Sequence, residues 1–163
     1  MNTCCQDQSF CGSTPVTAIP DTYWVTGKRV ELTGTYAEVS TAKDLRDTLT
    51  RWRARWGIGR MRMIVPPGLY AAGKPGKDSP VFVSANYQPS FDALRTALAG
   101  MDGWILVLDT KGINVWCAAG KGTFGTAELV KRIGLARLTE VVSHRTIIVP
   151  QLGAPGVSGY QTK

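Results

Sequence analysis

The sequence has a single histidine, only four cysteines and no apolar run close to the roughly 20 residues that a membrane-spanning helix needs. Each shortage closes off a class of function. Without such a run, no part of the chain is expected to cross a bilayer. Residues 1–15 lack the basic start and apolar stretch of a secretory signal. The cysteines are therefore expected to be reduced thiols and not a disulfide framework. The lone histidine, His144, stands in Ser143-His144-Arg145 with nothing local to tie it to Cys117, so a hydrolase-type Cys–His pair has no support. One cysteine and one distant histidine do not make a zinc site either. Acidic residues are also scarce, 12 against 19 lysines and arginines, for a formal net charge of +7. Much of the excess lies in Arg46, Arg51, Arg53, Arg55, Arg60 and Arg62. No helix-turn-helix, zinc-finger or RNP-like signature accompanies these arginines, so nucleic acid is not the expected partner. They read as a solvated helix face or as a docking surface for an acidic protein.

What is present suits one globular domain. The chain is 163 residues long and 44% hydrophobic, without internal repeats. Residues 1–20, rich in Ser, Thr, Gln and Pro, read as a mobile tail, and 21–163 as the domain. From Thr41, apolar Leu45, Leu49, Trp52 and Trp56 recur at spacings of four and three, predicting an amphipathic helix that Gly57 ends. Met61–Val65 and Val81–Val83 read as buried strands with a Pro/Gly loop between them through Gly76. Phe91, Leu94, Ala97 and Leu98 predict a second helix after Ser90. The wholly apolar Trp104–Leu108 predicts a strand buried on both faces, as in a parallel sheet. Leu129, Val130, Ile133 and Leu138 follow a possible cap at Thr126, and Thr146–Val149 predicts another strand. Alternating strands and helices give an α/β fold with an open, mostly parallel, Rossmann-like sheet. Ligands bind such sheets beyond the carboxyl ends of the strands, here in the loops after Val83, Leu108 and Val149.

The loop after Leu108 holds the most distinctive segment, Asn114-Val115-Trp116-Cys117-Ala118-Ala119-Gly120-Lys121-Gly122-Thr123. Asn114 is a good N-cap, which places Cys117 in the first turn of a short helix. Helix-start N–H groups and a nearby ammonium favour the thiolate that binds a metal. The small residues that follow leave room for a broad, flat ligand. A cysteine among alanines can equally be a small buried hydrophobe, and composition alone favours that reading. Gly120-Lys121-Gly122-Thr123-Phe124-Gly125 also matches the dinucleotide fingerprint, with Glu140 further on. However, the fingerprint should follow its strand directly, and Thr110–Cys117 intervene. Two other loops bring polar backbone to the same edge: Ser84-Ala85-Asn86-Tyr87, and Gln151-Leu152-Gly153-Ala154 continuing to Gly156-Val157.

Val25-Thr26-Gly27, Arg55–Met61, Pro67–Tyr70, Ser79–Tyr87, Asn114–Thr126 and Pro150–Val157 together resemble the corrinoid-binding domains of two related families. One is the mercury-methylating corrinoid protein; the other is the large subunit of the corrinoid iron–sulfur protein of the acetyl-CoA pathway. The segment around Cys117 is more similar to the first, which carries a cysteine in a cap helix beneath the corrin. The resemblance implies a cobalamin cofactor with Cys117 as the cobalt ligand, and the three loops as its binding residues. It implies methyl transfer to Hg(II), with a methyl-folate system as the methyl donor. A ferredoxin-like protein with two [4Fe–4S] clusters is the implied reductant. Cys4, Cys5 and Cys11 do not match ferredoxin spacing and are expected to be dispensable. The surroundings of His144 lack the Asp-x-His-x-x-Gly pattern of the histidine-ligated cobalamin mode. Full-length members of the mercury-methylating family continue into a membrane-spanning region. By that likeness the chain is a cytoplasmic domain, shortened at its C-terminal end, of a protein anchored to the inner membrane.

Overall fold

The computed structural model describes residues 19–32 and 34–159. Cys4, Cys5, Cys11 and most of the expected tail lie outside these residues. Ile19 is described and packs against the core. Six strands form one mixed sheet: β1 (Val25–Glu31), β2 (Gly34–Val39), β3 (Gly68–Ala72), β4 (Val81–Ala85), β5 (Gly103–Leu108) and β6 (Ile147–Ile148), in the order β1-β2-β3-β5-β4-β6. Five helices accompany them: α1 (Leu45–Arg55), α2 (Gln88–Ala97), α3 (Val115–Gly120), α4 (Thr126–Leu135) and α5 (Leu138–Val141). Among the described residues no helix is long and apolar enough to cross a membrane.

The centre of the sheet follows from β5, every residue of which is buried. Its side chains alternate between two cores. Trp104, Leu106 and Leu108 face one core with Leu69, Val83, Phe124 and Leu129. Ile105 and Val107 face the other with Trp24, Tyr70, Phe91 and Leu98. α2 covers this second face and α3, α4 and α5 cover the first. Fully burying one such aromatic side chain contributes on the order of 2–3 kcal/mol, so both faces need their helices.

The α/β class and the open sheet agree with expectation, and the differences are local. β5 pairs in parallel with β4 but antiparallel with β3, so the sheet is mixed. β3 lies in the stretch expected to be a Pro/Gly loop, and β1 and β2 form a hairpin in a segment with no predicted strands. Met61–Val65 is not a strand. A 3-10 turn over Arg60–Arg62 is followed by an isolated bridge from Ile64 to Tyr87. Leu138 begins α5 instead of continuing α4. The largest difference is in α1. A capping box between Asp44 and Asp47 starts it, and Asp47 and Ala54 are its buried residues, leaving the predicted apolar face outward.

Candidate functional site

β4, β5 and β6 are mutually parallel. The loops after them therefore leave the sheet at one edge, as expected. α3 and the 3-10 turn over Gln151–Gly156 meet there. His144 belongs to the opposite edge. Its Nε2 lies 2.9 Å from the Ser79 carbonyl ahead of β4, and its Nδ1 accepts from the Thr146 N–H. The length of β4 separates it from the Cys117 loop, so the two cannot form a catalytic pair.

Asn86, directly after β4, organises the cysteine-bearing loop. Its side chain is buried, and its Oδ1 accepts from the N–H of Thr110 at 3.0 Å and of Gly112 at 2.9 Å. The Thr110 hydroxyl lies 2.8 Å from the same oxygen and 2.7 Å from the Ile113 carbonyl. Asn86 Nδ2 donates to Asp109 at 3.2 Å. Lys111 and Gly112 both take left-handed backbone conformations, φ 60° and 71°, which turn the chain towards α3. At Gly112 a side chain would also strike Ile64. Asp109 accepts from the backbone and side chain of Lys111, while its own N–H donates to Glu128 of α4. Burial pushes the Asp109 carboxyl up, but the Lys111 hydrogen bonds outweigh it and hold the group below the usual carboxylate range.

Asn114 caps α3 as expected, its side chain accepting from the Cys117 N–H at 2.9 Å. That N–H is therefore engaged by the cap. Ala118 is fully buried against the sheet and fixes which side of α3 points inward. Val115, Cys117 and Ala119 are half-buried, and Trp116, Gly120, Lys121 and Gly122 are exposed. The far end of α3 is pinned through Phe124, whose N–H donates to the Ala118 carbonyl and whose ring is fully buried. Thr123 lies half-buried in this turn. Gly153 and Gly156 pack against Phe124 so closely that a Cβ at either would lie 2.4 Å from its ring or 2.1 Å from its carbonyl oxygen. A Cβ at Gly120, by contrast, would meet nothing within 4 Å.

The predicted binding residues thus divide by exposure. Ser84, Ala85, Asn86 and Tyr87 are buried, and Gly153 is spent on packing. Trp116, Cys117, Gly120, Lys121 and Gly122 of the α3 segment, with Gln151, Leu152 and Ala154 of the neighbouring turn, are wholly or partly accessible; Gly156 and Val157 are half-buried. Sequence reasoning missed Thr110, Asp109 and Phe124, which set the position of α3. Among the described residues no three His, Cys, Asp or Glu side chains converge as a metal-binding group. Cys117 is half-buried and free, and its thiol is a donor suited to soft or borderline ions. A half-buried cysteine three residues from the open Gly120 position leaves room on α3 for a ligand to approach the backbone.

Comparison with known proteins agrees with the pathway of the second family that the sequence resembles. The family model described as the CO dehydrogenase/acetyl-CoA synthase delta subunit matches residues 6–162. The gamma subunit of the acetyl-CoA decarbonylase/synthase complex of Archaeoglobus fulgidus is 35% identical over 92 residues, covering 55% of this chain and 20% of its own. That of Methanocaldococcus jannaschii is 31% identical over 113 residues, 68% of this chain and 23% of its own. Gamma subunit 2 of Methanosarcina thermophila is 29% identical over 153 residues, 87% of this chain and 32% of its own. The chain therefore spans a fifth to a third of the length of these curated relatives.

Proposed function

The chain belongs to the CO dehydrogenase/acetyl-CoA synthase delta subunit family, and from that premise we propose that it is a corrinoid-binding methyl-carrier domain of the acetyl-CoA pathway type. The family match carries the pathway, and one observation carries the corrinoid site. α3 offers the Cys117 sulfur beside a surface left open at Gly120, at the sheet edge where three loops converge. A bound corrinoid would supply a cobalt centre able to accept and give up a methyl group. The protein's part is to hold and shield it. Cys117 would hold the metal, and the small residues of α3 would let the ring approach the backbone. Asn86, through the Thr110–Gly112 loop, would fix the height of the helix.

A second reading, transfer of the methyl group to Hg(II) as substrate, is favoured by Cys117 itself. A thiolate donor would raise electron density on the metal more than water would, which suits giving a methyl group to a soft acceptor. A ferredoxin-like reductant and a methyl-folate donor would serve this reading, with membrane anchorage supplied by chain beyond this domain.

The test compares Cys117→Ala and Gly120→Val with the unaltered chain after incubation with cobalamin. Cys117→Ala is expected to retain the corrinoid but change its absorption bands, because the sulfur donor is gone. Gly120→Val is expected to lose retention, because a branched side chain fills the open surface. Retention and spectra unchanged in both would defeat the corrinoid site. Methylmercury yield from the loaded protein separates the readings. A yield that Cys117→Ala abolishes favours Hg(II), and none from the unaltered protein leaves the acetyl-CoA reading.

A further inference from the structure

The apolar stripe of α1 turns away from its own domain. At about 100° per residue, Leu45, Leu49, Trp52 and Trp56 fall within an arc of about 60°. Asp47 and Ala54, the residues buried against the protein, lie on the opposite side of the helix. The stripe is left open: Leu45 is 87% exposed, Leu49 60%, Trp52 59% and Trp56 70%. Arginines border it on both flanks, Arg46 and Arg53 on one side and Arg55 on the other, with Arg51 further round the helix, and all four are exposed. Arg60 and Arg62 extend the positive surface just beyond the helix. The sole acidic residue between Leu45 and Arg62 is Asp47, which is buried and paired with Arg95.

From this geometry we infer that α1 is an interfacial helix that seats the domain on an anionic lipid surface. An apolar stripe opposite the protein core can enter the headgroup boundary while long arginine stems reach back to lipid phosphates on either side. Tryptophan is well placed there, with an apolar body and a polar N–H. An acidic protein would answer the charge equally, but burying the stripe would require a matching apolar groove. A lipid interface needs no such match and satisfies stripe and flanks together. The orientation also spares the candidate site: α1 packs on α2, whereas α3 covers the other face of the sheet. The inference does not depend on what α3 binds.

The experiment is flotation of the full chain with vesicles of phosphatidylcholine alone or mixed with phosphatidylglycerol, at low and high salt. Binding is expected to the mixed vesicles, weakening as salt rises. The double variant Arg53→Glu/Arg55→Glu, one change on each flank, is expected to bind at least about tenfold more weakly, at roughly fivefold per arginine lost. Trp52→Ser/Trp56→Ser is expected to bind at least about tenfold more weakly too, and to abolish the quenching of tryptophan emission by brominated acyl chains. These side chains are exposed, so unchanged circular dichroism and melting should accompany both losses. Binding to neither vesicle would overturn the inference, even if the chain then associates with an acidic protein. So would binding that the arginine change weakens but the tryptophan change does not, since that is adsorption by charge alone.

Discussion

The two faces of the sheet are held together in different ways. Beneath α2 the packing is aromatic and closed: Trp24, Tyr70 and Phe91 form a mutual triad with ring centroids 4.9–5.8 Å apart. Beside it the fully buried Arg95 pairs with Asp47 and Asp92 and donates to the carbonyls of Ser40 and Ala42. Tyr23 donates to Asp47 at 2.7 Å, and burial followed by that bond pushes its phenol up to about 12. At the α3 end of the other face, the helix is six residues long, and its place depends on one amide oxygen, one N-cap and the buried Phe124 ring. The first arrangement spends its polar groups on one another. The second uses polar groups to position backbone and leaves side chains accessible.

The sharpest way to break this contrast is Arg95→Met. It strands two buried carboxylates and should cost about 3–5 kcal/mol, read by urea unfolding. A loss below about 0.5 kcal/mol, the size of an ordinary surface change, would mean that the network does not secure this face. Asn86→Ala should cost less, about 2–3 kcal/mol, because the buried Thr110 N–H and the half-buried Gly112 N–H lose their acceptor. Its effect should be local, with amide exchange rising first in Thr110–Gly112 and α3 while the α2 core stays protected. Equal loss of protection on both faces would erase the distinction drawn here. Asn114→Ala removes only the cap and should cost about 1 kcal/mol, seen as faster exchange at the Cys117 amide.

The smallest effect is on pH dependence. Because the folded Asp109 carboxyl is depressed, its contribution is fully present above the ordinary carboxylate value of about 3.9 and is lost as pH falls through the lower folded value. Proteolysis of the Asp109–Gly112 loop should accelerate in that acid window, and Lys111→Met should move the window upward.

Legibility in the sequence followed the same division. β5 was readable because an uninterrupted apolar run between Gly103 and Asp109 has few other uses. Asn114 as cap, and Cys117 in the first turn, were readable because capping is local chemistry. The outward stripe of α1 was not, since periodicity reveals an apolar face but not what it faces. Nor was the hairpin of β1 and β2: Val25–Glu31 is interrupted by Gly27, Lys28 and Arg29, and its half-buried positions carry little apolar pattern. Asn86 was legible as a residue at the right edge. Its use as a hub depends on Thr110 and Gly112, more than 20 residues away in sequence.

The antiparallel run of β3 against β5 carries a practical consequence. It sends the connection from Gly73 to Pro80 to the edge opposite α3. That connection is tied at its root, where Asp102 accepts from the Lys74 N–H, and midway, where the Trp104 indole donates to Gly76. Lys77 and Asp78 nevertheless remain exposed. A fluorophore or surface tether attached at Lys77 would therefore report on or immobilise the domain from its far end, leaving the Cys117 edge uncovered.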